Sequence, residues 1–205
     1  MDPENADEMT MSQKKVALQY IMSLKQKRRG KIKGRGCADG RKQRENLTKD
    51  DTSAPTVAME ALLLTCLINT MEHRKVATVD IPGAFMQADM EGETVHMKLE
   101  GKMADLLTTL DPNIYRKYMT KKREDGPLRG AQKSLYGTIQ AALLFWRNLT
   151  SILQEWGFEV NPYDWCIANK PVDGGEMTVI WHVDDLKISH ENGDTVGALI
   201  SKVSE

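Results

Sequence analysis

Residues 178–190 read TVIWHVDDLKISH. An apolar run ends at two adjacent carboxylates, Asp184 and Asp185, and a second short β-prone run, LKISH, follows at 186–190. Two such runs, the first entered through the glycine turn at 174–175, are the pattern of a β-hairpin with acids at its tip. Adjacent carboxylates repel one another unless a cation sits among them. The hairpin therefore asks whether a further acid joins it and what positive group the acids face.

Residues 75–81, KVATVDI, are β-branched and apolar on both faces, which predicts a central, buried strand. Asp80 stands near its end, and Pro82 and Gly83 stop it. Strands of one sheet bring such ends together across long stretches of chain. Mg²⁺ takes oxygen ligands, one or two carboxylates plus substrate phosphates. Three carboxylates on strand ends thus suit a two-metal centre for phosphoryl transfer. Asp-Asp at a turn and Asp before Pro-Gly are also ordinary turn chemistry, so neither piece alone identifies such a centre.

Outward from these strands the pattern is mixed. Residues 14–30, KKVALQYIMSLKQKRRG, predict a short amphipathic helix carrying Val16, Leu18, Ile21, Met22 and Leu24 and ended by Gly30. Met59, Leu62, Leu63, Cys66 and Leu67 recur at helical spacing after Pro55, which predicts a core helix with Cys66 as a small apolar filler. ETVHMKLEG at 93–101 alternates and predicts a half-exposed strand. Residues 101–119 predict helix broken near Pro112, and KKREDGPLRG at 121–130 a polar connection. Phe145, Trp146, Leu149, Ile152, Leu153 and Trp156 mark a strong amphipathic helix closed by Gly157. NPYDW at 161–165 is a turn, a short strand follows at Cys166–Ala168, and the tail from Asp194 begins a helix. The class is α+β, an antiparallel sheet covered by helices on one face.

The segment 27–44 is dense in Lys, Arg and Gly, with Asp39 its only acid. Glycines break regular structure there. It reads as a solvated loop when taken alone, and as a phosphate-binding surface beside a metal centre.

The chain has 205 residues, net charge −1, 40% hydrophobic and 28% charged residues, the profile of a soluble globular protein. Cys37, Cys66 and Cys166 form no C-x-x-C and no even framework, which excludes a zinc ribbon and points to a reducing compartment. Residues 1–13 are polar and expected to be loose, without the apolar stretch of a signal peptide. No apolar run reaches the roughly 18 residues of a membrane span.

Three segments in order, ATVDIPGAFMQADM (77–90), QKSLYGTIQAALLFWRNL (132–149) and WHVDDLKISH (181–190), resemble the core of copia-type retrotransposon reverse transcriptases. That family shows an Asp-x-x-x-Ala-Phe strand and turn, a Lys-Ser-Leu-Tyr-Gly segment with a nearby Gln, and a Tyr-Val-Asp-Asp hairpin. VHMKLEG (95–101) and TSAPTVAMEALLL (52–64) resemble stretches flanking the first motif, and IKGRGCADGRKQR (32–44) resembles the basic fingers segment more loosely. The likeness runs over about residues 18–205.

The resemblance implies a right-hand polymerase palm with partial fingers over residues 14–205. It implies RNA-directed DNA polymerase activity with two Mg²⁺ or Mn²⁺ held by Asp80, Asp184 and Asp185. Phe85 would exclude a 2′-hydroxyl, the alternative being a core ring. Tyr136 and Gly137 would lie under the incoming dNTP, and Gln140 would bond the nucleotide or template, or else be an exposed helix residue. Lys33, Arg35 and Arg41 would meet the triphosphate, and Lys27, Arg28, Arg29, Lys31, Lys42 and Arg44 the template phosphates. Partners implied are an RNA template, a DNA or RNA primer, dNTP and other parts of a retrotransposon polyprotein, in the cytoplasm, a virus-like particle or the nucleus. His182 departs from the family's Tyr and is the less favoured candidate for a metal ligand, and Cys166 and the other histidines have no metal-ligand spacing. No thumb or RNase H counterpart is visible, which implies weak grip on a primer–template duplex. The alternative is a catalytically inactive remnant that binds nucleic acid through its basic segment.

Overall fold

The structure, a computed structural model, describes residues 3–4, 9–45, 48, 52–92, 94–119, 128–131, 133–172 and 174–204. In chain order the elements are β1 (Pro3–Glu4), α1 (Met11–Val16), β2 (Leu18–Gln26), β3 (Ile32–Ala38), α2 (Met59–Met71), β4 (Lys75–Asp80), α3 (Ala84–Gln87), β5 (Val95–Lys98), α4 (Lys102–Leu110), α5 (Pro112–Tyr115), β6 (Leu128–Ala131), α6 (Ala141–Glu155), β7 (Glu159–Val160), β8 (Ile167–Val172), β9 (Gly175–His182), β10 (Asp185–His190) and α7 (Gly193–Ser204). They form a mixed α/β chain with two five-stranded sheets and two compact units, residues 1–52 with 85–144, and residues 53–84 with 145–205.

In the first unit the sheet runs β1-β6-β5-β2-β3, antiparallel except for the β2–β5 pair. Residues 14–30 depart from the expected helix. Helix α1 stops at Val16, and Leu18–Gln26 pairs antiparallel with Ile32–Ala38 over seven register positions. Part of the basic segment taken for a loop is therefore β3, followed by a 3-10 turn at Gly40–Glu45. Cross-strand pairing overrides the local helical spacing here. Leu18, Ala38 and Met97 make a small core under these strands. In β5 both His96 and Met97 are buried, against the expected alternation. The segment 1–13, expected to be loose, is described in part: Pro3–Glu4 is β1, and Thr10 caps α1, which begins at Met11. The polar connection 121–130 falls mostly outside the described residues, and its end enters β6.

In the second unit the sheet runs β4-β10-β9-β8-β7, antiparallel throughout. Residues alternate between its faces. The face with Leu186, Ile188, Trp181, Val179 and Met177 is core, each at most 3% exposed. Lys170, in register with Met177 on that face, donates to Trp156 O at the end of α6 (2.6 Å), and α7 turns Val196 and Leu199 inward. The opposite face carries Asp80, Thr78, Asp185, Lys187, His182 and Thr178. Helix α2 lies on it. Lys187 Nζ donates to Thr65 Oγ1 at 3.0 Å and lies 3.3 Å from Cys66 Sγ, and Arg74 just past the helix donates to Thr178 Oγ1 at 3.0 Å. Helices thus cover both faces, where the sequence predicts one.

Two further expectations are corrected. Strand β4 is an edge strand, with Val76 48% exposed, although its two-sided apolar pattern matches a central one. Helix α2 turns Met59, Leu63 and Leu67 outward, each more than half exposed, leaves Cys66 exposed beside Lys187, and buries Thr65 and Asn69. The cause is the face it covers. Half-buried Lys187 needs an oxygen acceptor, so a threonine rather than a leucine is turned to the sheet.

The NPYDW turn does more than reverse the chain. Asp164 accepts from Ala58 N, the N-cap residue of α2, and from Cys166 N, both at 2.9 Å. Its carboxylate satisfies one of the helix's orphan donors from 106 residues away. Asp164→Ala is expected to cost about 1–2 kcal/mol, read as a lower urea midpoint by fluorescence of the tryptophans, all of which lie in this unit. An unchanged midpoint contradicts the capping role.

Candidate active site

Hairpin β9–β10 closes with His182 opposite Asp185, so Val183 and Asp184 form a two-residue loop. Val183 has φ 57°, while Asp184 does not share the left-handed region. Positive φ at the first loop position alone is the pattern of a type II′ turn. For a β-branched residue this conformation is strained. Over-determination by the sheet holds it there, since β10 is paired along its length on both sides.

Asp185 is also the register partner of Asp80 on β4. Ile81 N donates to Asp184 O at 3.0 Å, tying the end of β4 to the loop. Paired positions share a face with Cβ atoms about 4.5–5.5 Å apart. Asp80 and Asp185 therefore stand side by side at the sheet's end, both exposed, with Asp184 half-buried one residue before. Among the described residues none of the three carboxylates has an ion pair or a side-chain hydrogen bond. The nearest cation on their face, Lys187 in the next row, is turned to α2.

An all-oxygen set of two neighbouring carboxylates with no protein cation fits the donor chemistry of Mg²⁺ or Mn²⁺. Among the described residues no three His, Cys, Asp or Glu groups close on one point. The backbone brings Asp80 and Asp185 together, and Asp184 stands at the loop rather than in their row.

The residues assigned by resemblance to nucleotide binding lie in the first unit. Phe85 and Tyr136 pack their rings with centroids 4.7 Å apart and planes tilted by 47°. Gly137, at φ 90°, sits against the backbone of Ala38, whose N–H donates to Tyr136 O at 2.7 Å. The close approach that this glycine permits is made to β3. Gln140 is the residue before α6, and its carbonyl accepts from Leu144 N at 2.9 Å.

The cations of the basic segment divide into engaged and unengaged groups. Arg41 grips Asp39 in a fork, Nε to Oδ1 at 2.8 Å and Nη2 to Oδ2 at 2.5 Å. Lys42 Nζ bonds the carbonyls of Lys15 and Ala17 at 3.2 and 3.4 Å. Neither is free for phosphate as it stands. Lys33 and Arg35 are exposed on one face of the β2–β3 ribbon, and Lys25 lies directly opposite Lys33 on that face. Lys27, Arg28, Arg29 and Lys31 crowd the turn, and Arg44 is exposed beyond it. Like charges placed opposite each other destabilise a strand pair. Among the described residues no acid is paired with any of these. Lys25 escapes a reading of 14–30 as helix and becomes legible only with the strand register.

Hydrogen bonding from Arg41 holds the Asp39 carboxyl down, from 3.8 to about 2. A lowered carboxyl pKa stabilises the fold above the unfolded value, and that contribution disappears as pH falls through the folded one. Between pH 4 and 2 the wild-type urea midpoint should drop more steeply than that of Asp39→Asn. Parallel curves contradict the pairing. The effect is small, because Arg41 is mostly exposed.

Burial pushes the Cys166 thiol up to about 12, and Asp164 beside it adds to the rise. This cysteine is a core residue, not a nucleophile or metal ligand.

A family model described as reverse transcriptase (RNA-dependent DNA polymerase) matches residues 7–202. No curated protein matches the chain.

Proposed function

The chain belongs to the reverse transcriptase (RNA-dependent DNA polymerase) family, and from that premise we propose that it carries the fingers and palm core of a copia-type enzyme. The reaction is addition of a dNTP to a primer 3′-hydroxyl on an RNA template. The observation that carries this reading is the register pairing of Asp80 with Asp185, both without a cation partner among the described residues.

Asp80 and Asp185, with Asp184, would hold Mg²⁺ or Mn²⁺. When bound, such ions activate the primer hydroxyl and neutralise charge on the leaving pyrophosphate. The protein's part is positioning. The II′ turn and the two flanking strands fix the carboxylates at the sheet's end, and α2 keeps Lys187 from neutralising them. In the first unit Phe85, Tyr136, Gly137 and Gln140 serve the dNTP, with Lys33 and Arg35 available to its triphosphate. The turn cations Lys27, Arg28, Arg29 and Lys31 serve the template backbone.

Primer extension on a primed RNA template tests this reading. Incorporation that needs Mg²⁺ or Mn²⁺ supports it, and none with either ion overturns it. The basic ribbon, without an acid partner among the described residues, favours one second reading, an inactive chain that only binds nucleic acid. Replacing Lys25, Lys33 and Arg35 by Gln should lower the slope of log K against log[salt] by about 2, at roughly 0.7 per single-strand phosphate contact. An unchanged slope would show that nucleic acid is held elsewhere.

A further inference from the structure

We propose that the outer face of α2 is a self-association surface, and that its occupant is the α2 of a second copy of this chain, packed antiparallel across a two-fold axis. The inference stands apart from the metal-centre reading, since none of its residues belongs to that site.

The face is apolar along its whole length. Met59, Leu63, Leu67 and Met71 recur every four residues with Leu64 beside them, and each is between 56% and 71% exposed. Residues four apart lie one above another on a helix. Thr65 and Asn69, the buried residues of α2, lie on the opposite side. The helix is thus apolar where it meets solvent and polar where it packs on the sheet, the reverse of a surface helix without a partner. A contiguous row of large apolar side chains left in water marks an interaction surface.

Two features select the occupant. The stripe reads Met-Leu-Leu-Met from either end. About a two-fold axis midway along it, Met59 meets Met71 of the second copy and Leu63 meets Leu67. That is the self-complementarity an isologous interface requires. The ends are also complementary in charge. Glu60, the only charged residue within α2, is exposed in its first turn. His73 and Lys75 are exposed just past its last turn, where Glu72 is taken up by Arg74. An antiparallel pair sets the acidic end of each helix beside the basic end of the other and opposes the two helix dipoles. A parallel pair would set like ends together.

Helix length sets the strength. Thirteen residues span about 20 Å. Such an interface falls in the small class, below roughly 1,200 Å² in total, and a dissociation constant on the order of 10 µM is expected.

Sedimentation equilibrium of the full chain, from about 1 to about 500 µM, tests this. The mass should rise from that of one chain toward that of two. Leu63→Glu and Leu67→Lys should each hold the chain monomeric across the range. Both side chains are exposed, so the thermal midpoint should stay unchanged. Mixed in equal amounts, the two variants should dimerise again, because position 63 of one copy faces position 67 of the other, acid against base. The wild-type masses decide the first half of the proposal without any variant. A chain that is still monomeric at the top of the range overturns it, whatever else covers the face. A dimer that persists in both variants places the interface elsewhere and overturns it as well. Variants that stay monomeric when mixed overturn the antiparallel register.

Discussion

Asp185→Asn is expected to abolish metal-dependent nucleotide incorporation, by on the order of 10³-fold or more, about 4 kcal/mol of barrier. The replaced side chain is exposed and has no partner among the described residues, so no folded contact is lost. It stands beside Asp80, and removing one of two like charges relieves repulsion. The thermal midpoint should hold or rise slightly while activity disappears. That combination distinguishes a site residue from a structural one. Asp80→Asn should behave in the same way, and the double variant should be little worse than either single, because residues acting as one unit are not additive. Near-normal incorporation by either variant would remove the carboxylates from the mechanism. A large fall in stability would make them structural.

The second large effect is expected at Gly137. A methyl group there would overlap the carbonyl oxygen of Ala38, and Gly40 packs equally close against the carbonyl of Gly137. Neither neighbour is a side chain that can swing away. Gly137→Ala combines left-handed backbone strain of about 1–2 kcal/mol with an overlap costing about 1–3 kcal/mol. A loss of about 3 kcal/mol is a large part of a domain's stability. The damage should appear first as faster amide exchange at Ala38 and Asp39, which donate to Tyr136 O and Gln19 O. Tryptophan fluorescence would miss it, since no tryptophan lies in the first unit. If exchange at Ala38 is unchanged and only dNTP affinity falls, the glycine serves the ligand rather than the fold.

These two residues show how unevenly the sequence discloses its structure. The hairpin 178–190 was legible because an apolar run, a glycine entry and an acid pair all agree. Helix α6 was legible from its 3.6-residue stripe, the start of α7 from the tail after Asp194, and the break at Pro112 from proline's missing donor. Strand β2 was not, since LQYIMSLKQ carries apolar residues at both helical and alternate spacings, and only its partner β3 decides between them. The direction of α2 was hidden for a related reason. Its leucines read as core, but the sheet face beneath it carries Lys187, which calls a threonine inward. The acids of the site were nameable one by one, whereas their register was not. The pairing of Asp80 with Asp185 belongs to the sheet, and so does the neighbourhood of His182. The strained φ of Val183 left no mark in the composition.

The most direct measurement is a map of Mn²⁺-induced broadening of backbone amide resonances in the intact chain. Sub-stoichiometric Mn²⁺ should broaden residues 79–81 and 182–186 first and most, and excess Mg²⁺ should restore them. Broadening centred elsewhere with these two stretches spared would contradict a divalent-ion centre at the paired ends of β4 and β10.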